Sequence, residues 1–280
     1  MKKILVPIDF SEYSEYALEV AAILAKKQNA SIIALHMLGL SESIFTKNEA
    51  EEVSEAIYYM KLAEKRFSTF LDKDYLEGIE VTEMVQNYKI FSEINEVAKD
   101  NDVDMIVMGS HGVSGLREEV FIGSNTEKVV RTSNIPVLVI KNKPENFTLN
   151  KAVFACDFKI ENIRPYHNAM RLFETLGVDE VHLLYVNLPG ERFKSTDQIE
   201  ENVKEFLFKA DAGNLEMYDK VVHYDDYSVE DGVFNYSNRI QADLIAIPTH
   251  GRRGLSHFFS GSIGEDVVNH ATKPVVTFKI

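Results

Sequence analysis

The chain has one cysteine, Cys156, in 280 residues. A single cysteine excludes an internal disulfide, and its place in an apolar, strand-like run reads as a small buried residue rather than a nucleophile or metal ligand. Long apolar runs are lacking as well. Nothing approaches the about 18 consecutive apolar residues of a membrane helix, and Pro7 and Asp9 interrupt any signal-peptide core after Met1-Lys2-Lys3. A cytoplasmic location is the expectation. Basic residues are in deficit, 30 Lys and Arg against 44 Asp and Glu, for a formal net charge of −14. That balance argues against nucleic-acid and anionic-membrane partners, which need clustered cations to displace counterions. An anionic ligand must then be held by local backbone donors, in an overall field screened beyond roughly 8 Å at physiological salt. The eight histidines offer no metal-ligand spacing, since His250 and His257 stand seven apart in a loop. No metal site and no catalytic set is read from the chain.

What is present is a duplication. Sliding the sequence by 138 residues places Gly123-Ser124 on Gly261-Ser262, Glu127 on Glu265, and Pro136-Val137 on Pro274-Val275. Upstream the best shift is 139, with Asp104 on Asp243, His111-Gly112 on His250-Gly251 and Gly115-Leu116 on Gly254-Leu255. Asp9 aligns with Asp157, each at the end of a short apolar run. The polar stretch Lys141 to Asn150, which has no hydrophobic periodicity, separates the copies, giving domains 1–142 and 150–280. Each is near the usual domain size.

Within each copy strands and helices alternate. In the first, strands are expected at Lys3–Ile8, Ser31–Met37, Ile79–Val85, Met105–Met108 and Pro136–Ile140. Helices are expected at Ser11–Lys27, Glu49–Leu71, Phe91–Lys99 and Ser124–Arg131. On the second helix, Ala56, Tyr59, Met60, Ala63, Phe67 and Phe70 share one face. The second copy has strands at Lys151–Ala155, Glu180–Val186, Lys220–Tyr224, Leu244–Ile247 and Val275–Phe278. Its helices fall at Arg164–Leu176, Asp197–Lys209, Val229–Arg239 and Ser262–His270. Such alternation with solid apolar strands means an α/β fold, a parallel sheet covered by helices on both faces. Right-handed crossovers place the helix amino termini on one rim.

On that rim lies the stretch Met108-Gly109-Ser110-His111-Gly112-Val113-Ser114-Gly115, followed by Gly123-Ser124. Glycines after a buried parallel strand let the backbone approach a ligand, and amide N–H groups at a helix start make a nest for phosphate. Asp9, with Ser11 after it, should project at the same place, although either side chain can instead cap the first helix. Ser124 and Glu127, like Ser262 and Glu265, have capping-box spacing, so each serine can serve its own helix. A capped amino terminus still offers N–H groups and about half a positive charge to an anion.

With Asp9, the Gly109-x2-Gly112 pair, Gly123-Ser124 and the duplication assembled, the chain resembles a tandem universal stress protein over both halves. The resemblance implies two doubly wound domains, each a five-stranded parallel sheet of order 3-2-1-4-5. It implies that the last strands, Val137–Ile140 and Val275–Phe278, meet in an intramolecular pseudo-dimer. It further implies a stress-response regulatory protein binding ATP or AMP, with room for Mg2+. Asp9 and Met37 would lie at the adenine, and Gly109, Gly112, Gly123 and Ser124 would hold ribose and phosphates. In the second copy Asp157, Val186, Gly251, Gly261 and Ser262 would do so.

Both copies depart from the family's Gly-x2-Gly-x9-Gly-Ser/Thr motif. Ten residues rather than nine separate Gly112 from Gly123, and one extra residue can displace the backbone by up to about 3.5 Å. Outward bulging at Glu118-Glu119 preserves the site; slack at Ile122 damages it. In the second copy the spacing is kept but Pro248 replaces the first glycine, removing an N–H and adding bulk. Arg252 and Arg253 can supply charge there or lie solvated. The first site is thus expected to carry the nucleotide. The alternatives are a scaffold that acts through an unidentified protein partner or a homodimer surface, and, last, a slow ATP hydrolase, for which no water-orienting residue is visible.

Overall fold

The computed structural model describes residues 1–38, 49–86, 93–111, 123–145, 147–250, 267–268 and 270–280. They form two compact units, Met1–Glu145 and Asn146–Ile280. In the first unit the elements run β1 (Lys3–Pro7), α1 (Glu12–Gln28), β2 (Ser31–Met37), α2 (Glu49–Phe70), β3 (Val81–Gln86), α3 (Ile94–Asp100), β4 (Met105–Gly109), α4 (Ser124–Thr132) and β5 (Val137–Ile140). The strands are parallel in the order β3-β2-β1-β4-β5. The second unit repeats the plan with β6 (Lys151–Ala155), α5 (Ile163–Leu176), β7 (Glu180–Asn187), α6 (Thr196–Ala210), β8 (Val221–Asp225), α7 (Val229–Arg239), β9 (Leu244–Thr249) and β10 (Val275–Lys279). Its parallel order is β8-β7-β6-β9-β10. The alternation read from the sequence thus becomes two doubly wound units of five parallel strands each.

The central strands are apolar on both faces because helices cover both. Ile4, Leu5, Val6, Met105, Ile106 and Val107 have no exposed surface. Helix α1 turns an alanine-rich side to this sheet, with Ala17, Ala21, Ala22 and Ala25 buried. Its ends follow capping chemistry: Ser11 accepts from the Ser14 N–H, Glu12 and Glu15 occupy the first turn, and Asn29 closes the helix at φ 51°. Helix α5 closes the same way on Gly177, at φ 64°. Strand β3 starts at Val81 rather than Ile79, because Gly78 turns the chain at φ 81° and the Ile79 N–H donates to Leu76.

The predicted apolar face of α2 is only partly used. Ala63 and Phe67 are buried, whereas Tyr59 and Met60 are exposed, with Tyr58 and Leu62 beside them. Helical periodicity specified the face, and burial falls on its later turns, at Ala63 and Phe67.

The aspartates that matched across the repeat at the start of β4 and β9 are structural. Asp104 accepts from the Lys2 and Lys3 N–H groups, and Asp243 accepts from the N–H groups of Asn150 and Lys151. Each carboxylate ties the first strand of its unit to the fourth at the amino-terminal rim.

Candidate functional site

Strand order reverses between β1 and β4, and the crevice beyond their carboxyl ends is where open α/β sheets bind ligands. Asp9 follows β1 into this crevice. Its Oδ1 accepts from the Ser11 N–H at 3.0 Å and from the Ser11 hydroxyl at 2.5 Å, so the intervening Phe10 is held at φ 66°. Ser11 in turn caps α1. The two roles left open for these residues are therefore divided: Ser11 is the cap and Asp9 orients it. The Phe10 ring lies 4.6 Å from the His36 ring and 5.2 Å from Phe67, with the Arg66 guanidinium 4.1 Å from its centroid. His36 donates from Nδ1 to the Ile8 carbonyl at 2.7 Å. Burial pushes its pKa below the ordinary histidine value. Met37, the last residue of β2, is half-buried and pairs with Gln86.

The β4 side of the crevice is built on a close approach. A Cβ on Gly109 would lie 2.6 Å from the carbonyl oxygen of Tyr13 and 2.7 Å from its carbon. Glycine at 109 therefore lets the backbone of α1 sit directly on β4, whatever it offers to a ligand. The buried Ser110 hydroxyl lies 2.8 Å from His111 Nδ1, and the His111 ring packs 5.1 Å from that of Tyr13. The Gly123 N–H donates back to the Ser110 carbonyl at 2.7 Å, which brings the start of α4 to the same point. Gly112 lies outside the described residues.

Ser124 does not stand at the N-cap position that the expected capping box with Glu127 requires. Gly123 is the N-cap, in extended conformation and without a side-chain cap, and Ser124 is the first helical residue. The Gly123 N–H bonds to Ser110, the residue after β4, and Glu127 pairs with Arg131 at 3.0 Å. Thr126 anchors the turn by donating to the Gly109 carbonyl at 2.9 Å. The amino terminus of α4 is thus presented at the crevice by a glycine that offers it no side-chain acceptor.

Comparison with known proteins places this arrangement. The model of the universal stress protein family matches residues 1–141 and again 150–279. The chain belongs to the universal stress protein family. Universal stress protein MJ0577 of Methanocaldococcus jannaschii is 36% identical over 156 residues, 51% of this chain and 96% of that protein. Universal stress protein Slr1230 of Synechocystis is 24% identical over the full length of both chains. A universal stress protein structure from Archaeoglobus fulgidus, 20% identical, superposes with a TM-score of 0.64 over 99% of this chain and 96% of that one, which shows the fold. Among the described residues no helix is long and apolar enough to cross a membrane.

The second universal stress domain repeats the crevice with different occupants. Phe158 again takes positive φ, 54°, after Asp157. Where the first unit has Ser11, however, the second has Lys159, and its ammonium contacts Asp157 Oδ2 at 2.6 Å while Asn162 Nδ2 donates to Oδ1 at 2.7 Å. That bond to Asp157 holds the Lys159 pKa above the ordinary lysine value. Val186 faces α7 so closely that a Cβ on Gly232 would lie 2.5 Å from one of its methyl groups. Pro248 fits in β9 because alternate N–H groups of that strand serve β10, as Ile245 does toward Pro274, and pairing with β6 ends at Ala246. Gly251, Gly261 and Ser262 lie outside the described residues. Sequence reasoning missed Phe10, Tyr13, Lys159 and Asn162. The Asp-Phe pair repeated at 9–10 and 157–158 was the visible signal for the turn; Tyr13 gave none, because it acts through its backbone.

Proposed function

We propose that this universal stress protein is a regulatory module binding an adenine nucleotide, ATP or AMP, at the switch point of its first domain. The uncapped amino terminus of α4 beside the end of β4 carries the reading. Helix amino termini hold phosphate through N–H groups and the helix dipole, which an acidic chain needs in place of a basic patch. Asp9 and Met37 would flank the base, and Gly109, Gly112, Gly123 and Ser124 would shape the ribose and phosphate wall. The second domain is the weaker site, since Lys159 and Asn162 already occupy the Asp157 carboxylate and Val186 is packed on α7.

The test is ligand-dependent thermal stabilisation. Nucleotide at 100 times Kd should contribute about 2.7 kcal/mol, and Asp9→Ala should abolish the increment while Asp157→Ala leaves it. Because Asp9 also orients a helix cap, the readout is the shift on adding nucleotide, not the absolute Tm. No shift at millimolar ATP or AMP overturns the reading, and two nucleotides per chain in native mass spectrometry overturns the ranking of the domains.

A further inference from the structure

The two units differ at a second place, on the rim opposite the crevice. In the first unit the connection from α2 to β3 is docked on α1: Leu76 is buried and Lys73 forms an ion pair with Glu15. Two of the buried α1 residues, Ala22 and Ala25, are small. At the corresponding positions α5 carries Met170 and Phe173. The connection following α6, residues 211–220, stands away from α5 and leaves a cleft of about 880 Å³. That is within the roughly 300–1,000 Å³ of small-molecule sites. Its walls are Met170, Phe173, Val178, Val181 and Met217, and methionines adapt to the shape of an apolar guest.

The rim of the cleft is acidic. Glu174, Asp179, Asp211 and Glu216 line it, against Arg171 and Lys220. Arg171 donates to Asn168, Asp211 accepts from the Tyr166 hydroxyl at 2.9 Å, and His167 donates from Nε2 to the Ala210 carbonyl. Four carboxylates against two cations, on a chain of net charge −14, favour a positively charged head group over a neutral or anionic one.

We propose that the cleft between α5 and residues 211–220 binds a small apolar molecule bearing an amine, with its apolar body against Met170, Phe173 and Met217 and its ammonium at Glu174 and Asp179. Isothermal titration of the full chain with 1-naphthylmethylamine tests this, with 1-naphthylmethanol and 1-naphthylacetate as neutral and anionic counterparts. The amine should bind saturably at one site per chain, about ten-fold more tightly than the alcohol, a difference of about 1.4 kcal/mol, with the anion weakest. Glu174→Gln and Asp179→Asn, both at exposed positions, should each weaken the amine about three-fold and leave the alcohol unchanged. Met170→Trp should abolish binding by filling the cleft; if thermal unfolding shows that it does not fold, Met217→Trp on the connection serves instead. The proposal is overturned by absence of saturable amine binding up to about 1 mM, by equal affinity for the anion, or by binding that survives in a folded tryptophan variant.

Discussion

Replacing Gly109 with alanine should destabilise the first unit severely without changing any charge or hydrogen bond. The added methyl would meet the carbonyl oxygen and carbon of Tyr13 at 2.6 and 2.7 Å, where ordinary contact begins near 3.4 Å. These are backbone atoms of a 17-residue helix, so no side-chain rotation relieves them. Relief requires α1 to retreat by about 0.8 Å, and a gap of that size forfeits a quarter to a half of the dispersion energy of the contacts it opens. Overpacking of this kind costs about 1–3 kcal/mol, and the three simultaneous contacts put Gly109→Ala at the upper end. At roughly 2–4 °C per kcal/mol for a chain segment of this size, Tm should fall by about 8 °C in scanning calorimetry. Gly190→Ala is the control: it has open space around it but φ 73°, so it pays only the left-handed penalty of about 1 kcal/mol. A Gly109→Ala protein melting within about 2 °C of the parent would refute the close approach of α1 to β4.

Other expectations follow from single features. Ser195 and Gln198 form a reciprocal capping box at the start of α6, so Ser195→Ala should cost about 1 kcal/mol in denaturant unfolding. Burial lowers the His36 pKa in the folded chain. The unfolded chain therefore binds the proton more readily. Its contribution to stability is complete above about pH 6.5 and is lost as pH falls below that value. His36→Gln should flatten the acid limb of the Tm–pH profile. Cys156 is half-buried rather than buried as expected, but desolvation raises its thiol pKa, so its reaction with a disulfide reagent at pH 7.5 should be slower than that of a free thiol and should accelerate on unfolding.

The positions of Asp9, Gly109 and Gly123 at the strand ends and at the start of α4 were legible in residue order, because such residues recur at the ends of apolar runs and a duplicated chain displays each position twice. The duplication also exposed Pro248 as an altered glycine. The structure then gave Gly109 a reason that a motif does not contain, the backbone of Tyr13 ninety-six residues earlier in the chain. The capping box at Ser195 and Gln198 went unread because the helix was expected to start at Asp197, whereas at Ser124 the spacing was read but Gly123 takes the N-cap position. Capping depends on which residue the preceding chain leaves at the helix boundary.

The sequence by itself determined that this chain is two α/β units of one plan, because helix and strand periods and the repeat are properties of neighbours along the chain. It likewise determined that the carboxyl ends of the strands and the helix amino termini share one rim, since alternation and crossover handedness favour that arrangement. Tertiary structure decided which groups are already engaged there: Ser11 with Asp9, Lys159 and Asn162 with Asp157, Gly232 with Val186. It also decided that one inter-element connection docks on its helix and its repeat stands off. Those outcomes depend on side-chain volume and reach across distant segments, which meet only once the chain has folded.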